Sequence, residues 1–315
     1  MNCLCCGKAL ISESTSGWHP ACAKRFFGTT ELPAIDIDEK ALELLATQST
    51  NKGYGVPGVQ KKLSLNLNSC EGTHRLTVVD CPTGYILKPQ VKEFEALPEA
   101  EHLIMRMAAA AGIATVPNAL VRNRDNGYAY ITKRIDRVFT KQKIQMLAME
   151  DFCQLDLRLT QDKYKGSYER CAKIIEKYSS RKGLDMTELF MRLVFSYIVG
   201  NSDMHLKNFS LLESGEGTGE YSLSPAYDLL CVNTIMPEDT EQFALTMNGK
   251  KTNIRKKDFL VFADRCAIPE ISAEKMIRKL VSMQERFVSM CEDSLLPEHM
   301  KDALTTLIHE RLSNI

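Results

Sequence analysis

Gly200-Asn-Ser-Asp-Met-His-Leu-Lys-Asn-Phe209 concentrates more chemistry than any other stretch of this chain. It places Asp203, His205, Lys207 and Asn208 close together. It directly follows an apolar double row, Leu189, Phe190, Leu193, Val194, Tyr197 and Ile198, whose i, i+4 spacing predicts a helix over 187–199. Further on, Pro225-Ala-Tyr-Asp228 supplies a second carboxylate after a short strand-like piece. Phosphoryl transfer needs such a set: one carboxylate to take the nucleophile's proton, and an amide oxygen with another carboxylate to hold Mg²⁺ against nucleotide phosphates. Asp203 and Asn208 are spaced as the base and the metal-binding Asn of a kinase catalytic loop, and Asp228 falls where the main metal ligand belongs. Either piece alone is better read as a polar loop capping a buried helix. Order and spacing together favour the chemistry.

Upstream, Gly53-Tyr-Gly-Val-Pro-Gly-Val-Gln-Lys-Lys-Leu63 precedes a strand. Its glycines let backbone N–H groups approach phosphates, although most such loops are only turns. Lys88 ends the strand Tyr85-Ile-Leu-Lys-Pro89. A buried strand Lys must find a partner, and Glu101 on the following helix is the natural one. A strand Lys paired to a helix Glu orients the α/β-phosphates in kinases; considered alone, Lys88 is better read as a strand-end Lys pointing to solvent.

The rest of the chain sets these motifs in place. Its 315 residues suit about two domains. Forty Lys+Arg against forty Asp+Glu give no basic excess, which argues against a protein built to hold nucleic-acid phosphates. No apolar run reaches the ~20 residues of a membrane helix, and the first residues lack a secretory pattern, so a cytoplasmic protein with no membrane contact is expected. A helix is expected over 36–49. Leu63, Leu65 and Leu67 alternate with Ser64, Asn66 and Asn68 as in a strand. Further strands are expected at 76–80, 85–88, 116–121 and 128–134, the last two bracketing the turn Arg124-Asp-Asn-Gly127, with a helix at 99–111 ended by Gly112. Beyond about residue 140 the pattern is mostly helical, with amphipathic helices at 187–199, 273–291 and 297–312. The expected fold is α+β and two-lobed, with a cleft between a strand-rich N-lobe (31–140) and a larger helical C-lobe (141–315).

Four of the eleven cysteines fall in the first 22 residues. Cys3-Leu-Cys-Cys6 and His19-Pro-Ala-Cys22 form two knuckles, and Cys3, Cys6, His19 and Cys22 supply the four ligands a tetrahedral structural Zn²⁺ wants. Cys5 is the spare thiol and an alternative to Cys6. Residues 1–30 are thus expected to form a small zinc-binding knob. His74, His102, His299 and His309 show no ligand spacing.

In this order the motifs resemble the HipA-like serine/threonine kinases, whose founding members are bacterial type II toxin kinases. The resembling segments are Gly58-Val-Gln-Lys-Lys-Leu63, Tyr85–Pro89, Glu99-Ala-Glu-His102, Arg134-Ile-Asp-Arg137, Glu150-Asp-Phe-Cys-Gln154, Tyr164-Lys-Gly-Ser-Tyr168, Gly200–Asn208 and Pro225–Asp228. The resemblance implies a protein-kinase-like fold and an ATP- and Mg²⁺-dependent kinase acting on a protein Ser or Thr. It makes Asp203 the base, Asn208 and Asp228 the Mg²⁺ ligands, and Lys88 with Glu101 the phosphate-orienting pair. Pro57, Gly58, Val59, Gln60, Lys61 and Lys62 would cover the phosphates. Lys133 to Ile135 would form the hinge against adenine, and His205, Lys207 and Tyr227 would lie near the nucleotide. The substrate implied is an aminoacyl-tRNA synthetase or another translation protein. The family's N-terminal β-rich subdomain is not matched, so the resemblance is closest to HipT-like kinases, whose implied partners are a helix-turn-helix antitoxin and a small separate protein matching that subdomain, with DNA reached only through the antitoxin. Where the family loop carries a phosphorylatable serine, this chain has Gly55, Val56 and Pro57. A non-catalytic nucleotide-binding regulator and a small-molecule kinase remain as alternatives.

Overall fold

The computed structural model describes residues 1–10, 16–34, 62–70, 73–78, 83–123, 127–139 and 144–315. The expected helix over 36–49, the Gly-rich loop with Gly55 and Pro57 to Lys61, and most of the turn at 124–127 lie outside the described residues. Two units emerge. The first comprises Met1–Leu103, Val116–Arg137 and Asp293–Leu296; the second comprises Ile104–Thr115, Val138–Glu292 and Pro297–Ile315.

In the first unit the alternating leucines make strand β1 (Leu63–Cys70), with Leu63 and Leu65 buried. It lies in an antiparallel sheet with β2 (Thr73–Val78), β3 (Tyr85–Pro89), β4 (Asn118–Arg122) and β5 (Tyr128–Lys133). The order is β2-β1-β3-β5-β4. β3 is central and buried on both faces at four of its five positions, which is why it reads as a near-continuous apolar run rather than an alternation. Its register sets Leu87 against Leu63 on one side and Lys88 against Tyr130 on the other. Helix α1 (Pro20–Phe27) starts with Pro at its first position and ends at Gly28, whose φ of 83° caps it in the left-handed region.

Helix α2 (Leu97–Ala110) brings Glu101 into the first unit. Its continuation meets Gly112 at φ 87°, whose N–H bonds to Ala109 O, so the predicted stop holds.

After β6 (Arg137–Phe139) and β7 (Ile144–Met146), the second unit contains a small antiparallel sheet, β10-β9-β8, from β8 (Met149–Asp151), β9 (Ser210–Glu213) and β10 (Tyr221–Leu223). Helix α3 (Phe152–Leu155) follows β8 under an Asp151 capping box, and α4 (Tyr168–Tyr178) starts on a Ser167 cap. Helix α5 (Lys182–Ile198) buries the predicted double row, but also Met191, Arg192, Phe195 and Ser196, so it is enclosed on nearly all sides. The single helix expected over 273–291 is two, Glu270–Val281 and Gln284–Glu292. Ser282 Oγ donates to Lys279 O, a local bond that competes with helix continuation where apolar spacing shows no break. The last helix, Glu298–Leu312, begins as expected. Among the described residues no helix is long and apolar enough to cross a membrane.

Candidate active site

In the first unit, Lys88 sits on the central strand with its side chain 3% exposed, a position that is costly for an unpaired ammonium. Glu101, fully buried, meets it at 2.5 Å, and the Tyr130 ring lies 5.2 Å from the ammonium. This is the strand-Lys to helix-Glu pair expected from the sequence. Glu99, two positions earlier on α2, is pushed up to about 7 by burial. Lys62, Lys133 and Ile135 are half-buried. Arg134 forks onto Asp136, with Nε 2.9 Å and Nη2 2.5 Å from its two oxygens, which fixes the turn that follows β5.

In the second unit the loop after α5 turns at Gly200, with φ 67°. A Cβ there would lie 2.4 Å from Leu307 Cδ2 and 3.3 Å from Asn233, so glycine is required. The loop then presents Asp203, whose side chain is 45% exposed. Asp203 Oδ1 accepts the Tyr164 hydroxyl at 2.8 Å, and His205 Nε2 lies 4.0 Å from Oδ2. Burial raises the Asp203 carboxyl above its ordinary range, and the Asp228 and Asp239 carboxylates add to this; the Tyr164 hydrogen bond and Lys163 oppose it. Asn208 is buried, and its Nδ2 donates to the Asp203 backbone oxygen at 2.8 Å, which explains the five-residue spacing. That bond uses the amide nitrogen and turns over the amide oxygen to other partners.

Asp228 has φ 56°, a left-handed conformation that costs a non-glycine residue about 1 kcal/mol. Its surroundings hold it there. Arg192 Nη2 donates to Ser224 O at 2.6 Å, and Ala226 N–H bonds to Ala114 O. The Tyr227 hydroxyl lies 2.5 Å from Ser210 Oγ and donates to Lys207 O at 3.1 Å. Lys207 Nζ pairs with Asp151 Oδ2 at 2.5 Å. Tyr227 and Lys207, expected near a nucleotide, thus join the Asn208 loop to the Asp228 turn and to β8. Asp203, Asn208 and Asp228 are brought to one place in the second unit, while Lys88 and Glu101 are paired within the first.

Sequence reasoning assigned no role to Tyr164, Asp151, Arg192 or Ser210. Tyr164 and Asp151 carried a signal, because their segments were among the resembling motifs. Arg192 and Ser210 are ordinary polar residues whose partners are distant in sequence.

The four predicted metal ligands also converge. Cys3, Cys6, His19 and Cys22 place their ligand atoms within 4.8 Å of one another. Cys6 Sγ lies 3.5 Å and Cys22 Sγ 3.9 Å from His19 Nδ1. Tetrahedral zinc with bonds of about 2.0–2.3 Å sets its ligand atoms about 3.5–3.8 Å apart. His19 Nε2 is 3.0 Å from Ala9 O; a proton donated there leaves the Nδ1 lone pair facing the thiols. Burial raises the Cys3 thiol, but the N–H groups of Cys6, His19 and Cys5 outweigh it and draw it down to about 7. The Cys22 thiol is raised, by burial first and then by Cys5 and Cys3. Cys5 is not one of these four, although its thiol interacts with Cys3 and Cys22.

The family of HipA-like C-terminal domains matches residues 54–287. Three proteins named "putative kinase" are similar along the sequence. One, from Haemophilus influenzae, is 24% identical over 97% of this chain and 93% of its own length. Two from Sinorhizobium fredii, Y4mE and Y4dM, are 29% and 31% identical. The chain spans only 57% and 59% of their lengths. Among solved structures, the Shewanella oneidensis toxin–antitoxin complex of HipA, HipB and operator DNA matches with a TM-score of 0.66 at 19% identity, over 82% of this chain and 64% of that one. The Helicobacter pylori proinflammatory kinase CtkA matches with a TM-score of 0.55 at 17% identity, over 83% and 90%.

Proposed function

The chain belongs to the family of HipA-like C-terminal domains, and from that premise we propose that it is an ATP- and Mg²⁺-dependent kinase of serine or threonine hydroxyls on proteins. The single observation that carries this reading is the placing of Asp203 and Asn208 on one loop, each with its own bond, and of Asp228 on a turn that Tyr227 ties to that loop.

Asp203 is the base. Tyr164 holds its Oδ1, which turns Oδ2 to the acceptor hydroxyl. The acceptor oxygen bonds to the γ-phosphorus, the bond from that phosphorus to the β–γ bridging oxygen breaks, and ADP leaves. The acceptor's proton passes to Asp203. The donor set of an amide oxygen and carboxylates suits a hard cation, and Asn208 and Asp228 are the residues that would hold magnesium. When bound, magnesium neutralises charge on the β- and γ-phosphates. Lys88, fixed by Glu101, adds a rigid positive charge for the phosphates. Lys133 to Ile135 form the adenine hinge. Residues 31–140 serve as the N-lobe and residues 141–315 as the C-lobe of the enzyme.

Residues 1–30 hold one structural zinc through Cys3, Cys6, His19 and Cys22, four protein ligands leaving no open position for catalysis. The chain's partner is a helix-turn-helix antitoxin, with DNA reached through it; the HipA–HipB–DNA complex supports an antitoxin as partner. The enzyme works in the cytoplasm.

The test is radiolabel transfer from γ-labelled ATP in a lysate, comparing proteins with the small-molecule pool. Label on protein Ser or Thr is expected. Label confined to small molecules points to a different acceptor, and no label anywhere overturns the reading.

A further inference from the structure

The zinc-binding segment is bonded into the sheet that carries Lys88. β4 is the edge strand of that sheet. An edge residue leaves N–H and C=O groups that need partners. At Leu120 both are taken by the knuckles: its N–H donates to Leu4 O at 2.9 Å, and its C=O accepts the Trp18 indole N–H at 3.0 Å. Leu4 directly follows Cys3, and Trp18 directly precedes His19. Leu4 N–H donates in turn to Gly17 O, which ties the two ligand turns together.

A second contact reaches the strand of Lys88 itself. Helix α1 carries Cys22 near its start and Phe26 and Phe27 at its end. Their rings lie 5.9 Å and 5.4 Å from the Tyr85 ring, and 5.6 Å and 5.5 Å from Trp18. The Tyr85 hydroxyl donates to Phe26 O at 3.3 Å. Tyr85 is three residues before Lys88 on β3. Leu4, Trp18, Phe26, Phe27 and Tyr85 are all buried.

An eight-residue helix and two turns cannot hold themselves folded without further support. In small Cys-rich segments a metal supplies that support, and its binding free energy is folding free energy. We infer that the zinc knuckles close the edge of the Lys88 sheet and buttress β3, so that metal occupancy controls nucleotide binding. This rests on the zinc reading above. It gives the terminal segment a regulatory role: loss of zinc, by chelation or competing thiol chemistry, loosens the sheet that positions the phosphate-binding lysine.

The experiment uses the full chain, purified with zinc, and measures metal content, hydrogen exchange and binding of a fluorescent ATP analogue before and after treatment with a zinc chelator. One zinc per chain is expected. Its removal should speed exchange at 85–89 and 118–122 at least tenfold, leave 189–198 protected, and weaken the nucleotide analogue at least tenfold. A zinc-free chain from zinc-supplemented cells overturns the metal reading and the inference with it. Zinc that leaves with exchange and nucleotide affinity unchanged overturns the inference alone. If the zinc-loaded chain binds no nucleotide, the kinase reading fails and the exchange result still decides the structural half. Trp18→Phe guards against general unfolding on chelation. It removes the indole N–H with part of the ring but leaves all four ligands, so it should keep its zinc while exchange at 118–122 rises severalfold; unchanged exchange there contradicts the inference.

Discussion

Removing Glu101 separates the stability of the first unit from its chemistry. Lys88 and Glu101 meet at 2.5 Å with side chains 3% and 0% exposed. Glu101→Leu leaves an ammonium buried without its carboxylate. Breaking such a pair from one side costs about 3–5 kcal/mol, because the ammonium loses its carboxylate while it stays out of water. At roughly 2–4 °C per kcal/mol for a unit of this size, the melting midpoint should fall by about 6–20 °C. Replacing both partners by apolar residues removes the uncompensated charge. Lys88→Met with Glu101→Leu should therefore lie within about 1–2 kcal/mol of the wild type, since apolar replacement of a buried pair is near neutral. Phosphoryl transfer should be lost in the single and the double variant alike. Thermal and denaturant unfolding give the stabilities, and labelled ATP gives the activity. A double variant as unstable as Glu101→Leu would show that the cost is not one of charge pairing. A double variant that still transfers phosphate would remove Lys88 from the mechanism.

Two other predictions follow from the same geometry. Glu99 is pushed up to about 7 by burial, against an ordinary value of 4.5. Its contribution is then fully present below the unfolded value and lost as pH rises through about 7, at most about 3 kcal/mol; Glu99→Gln should flatten the pH dependence of stability between about pH 4.5 and 7, and an unchanged slope in urea unfolding would refute this. Tyr227→Phe removes the hydroxyl that joins Ser210 and Lys207. It should raise the KM for Mg-ATP and the magnesium requirement several-fold while shifting stability by only about 1 kcal/mol; unchanged kinetics would show that this bridge does not position the Asn208 loop.

The parts of the site that were legible in the sequence are those in which partners sit close along the chain or have a single chemical solution. Asn208 reaches back to Asp203 within one loop, so spacing reveals it. Lys88 is a charge on an apolar strand, and the next helix offers Glu101. The cysteine knuckles follow a ligand spacing that suits a tetrahedral metal, and their four ligand atoms lie within 4.8 Å of one another. The Tyr164 bond to Asp203 joins two loops 39 residues apart, and Trp18 reaches Leu120 across 102 residues. No local pattern encodes such contacts. The docking of the terminal segment on β4 was invisible for that reason, and residues 1–30 read as a separate knob. The break at Ser282 was hidden because Ile277, Leu280, Phe287 and Met290 keep helical spacing across it.

The central claim is that Asp203 takes the proton during transfer of the γ-phosphoryl group. Asp203→Asn keeps the shape of the side chain and an oxygen for the Tyr164 hydroxyl, but removes the basic carboxylate. The decisive measurement is the initial rate of γ-phosphoryl transfer from Mg-ATP to protein by wild type and Asp203→Asn, with the affinity of each for an ATP analogue measured alongside. The account predicts transfer by the wild type, a loss on the order of 10²–10⁴-fold in Asp203→Asn, and similar nucleotide affinity in both. Asp203→Asn transferring at the wild-type rate would contradict it.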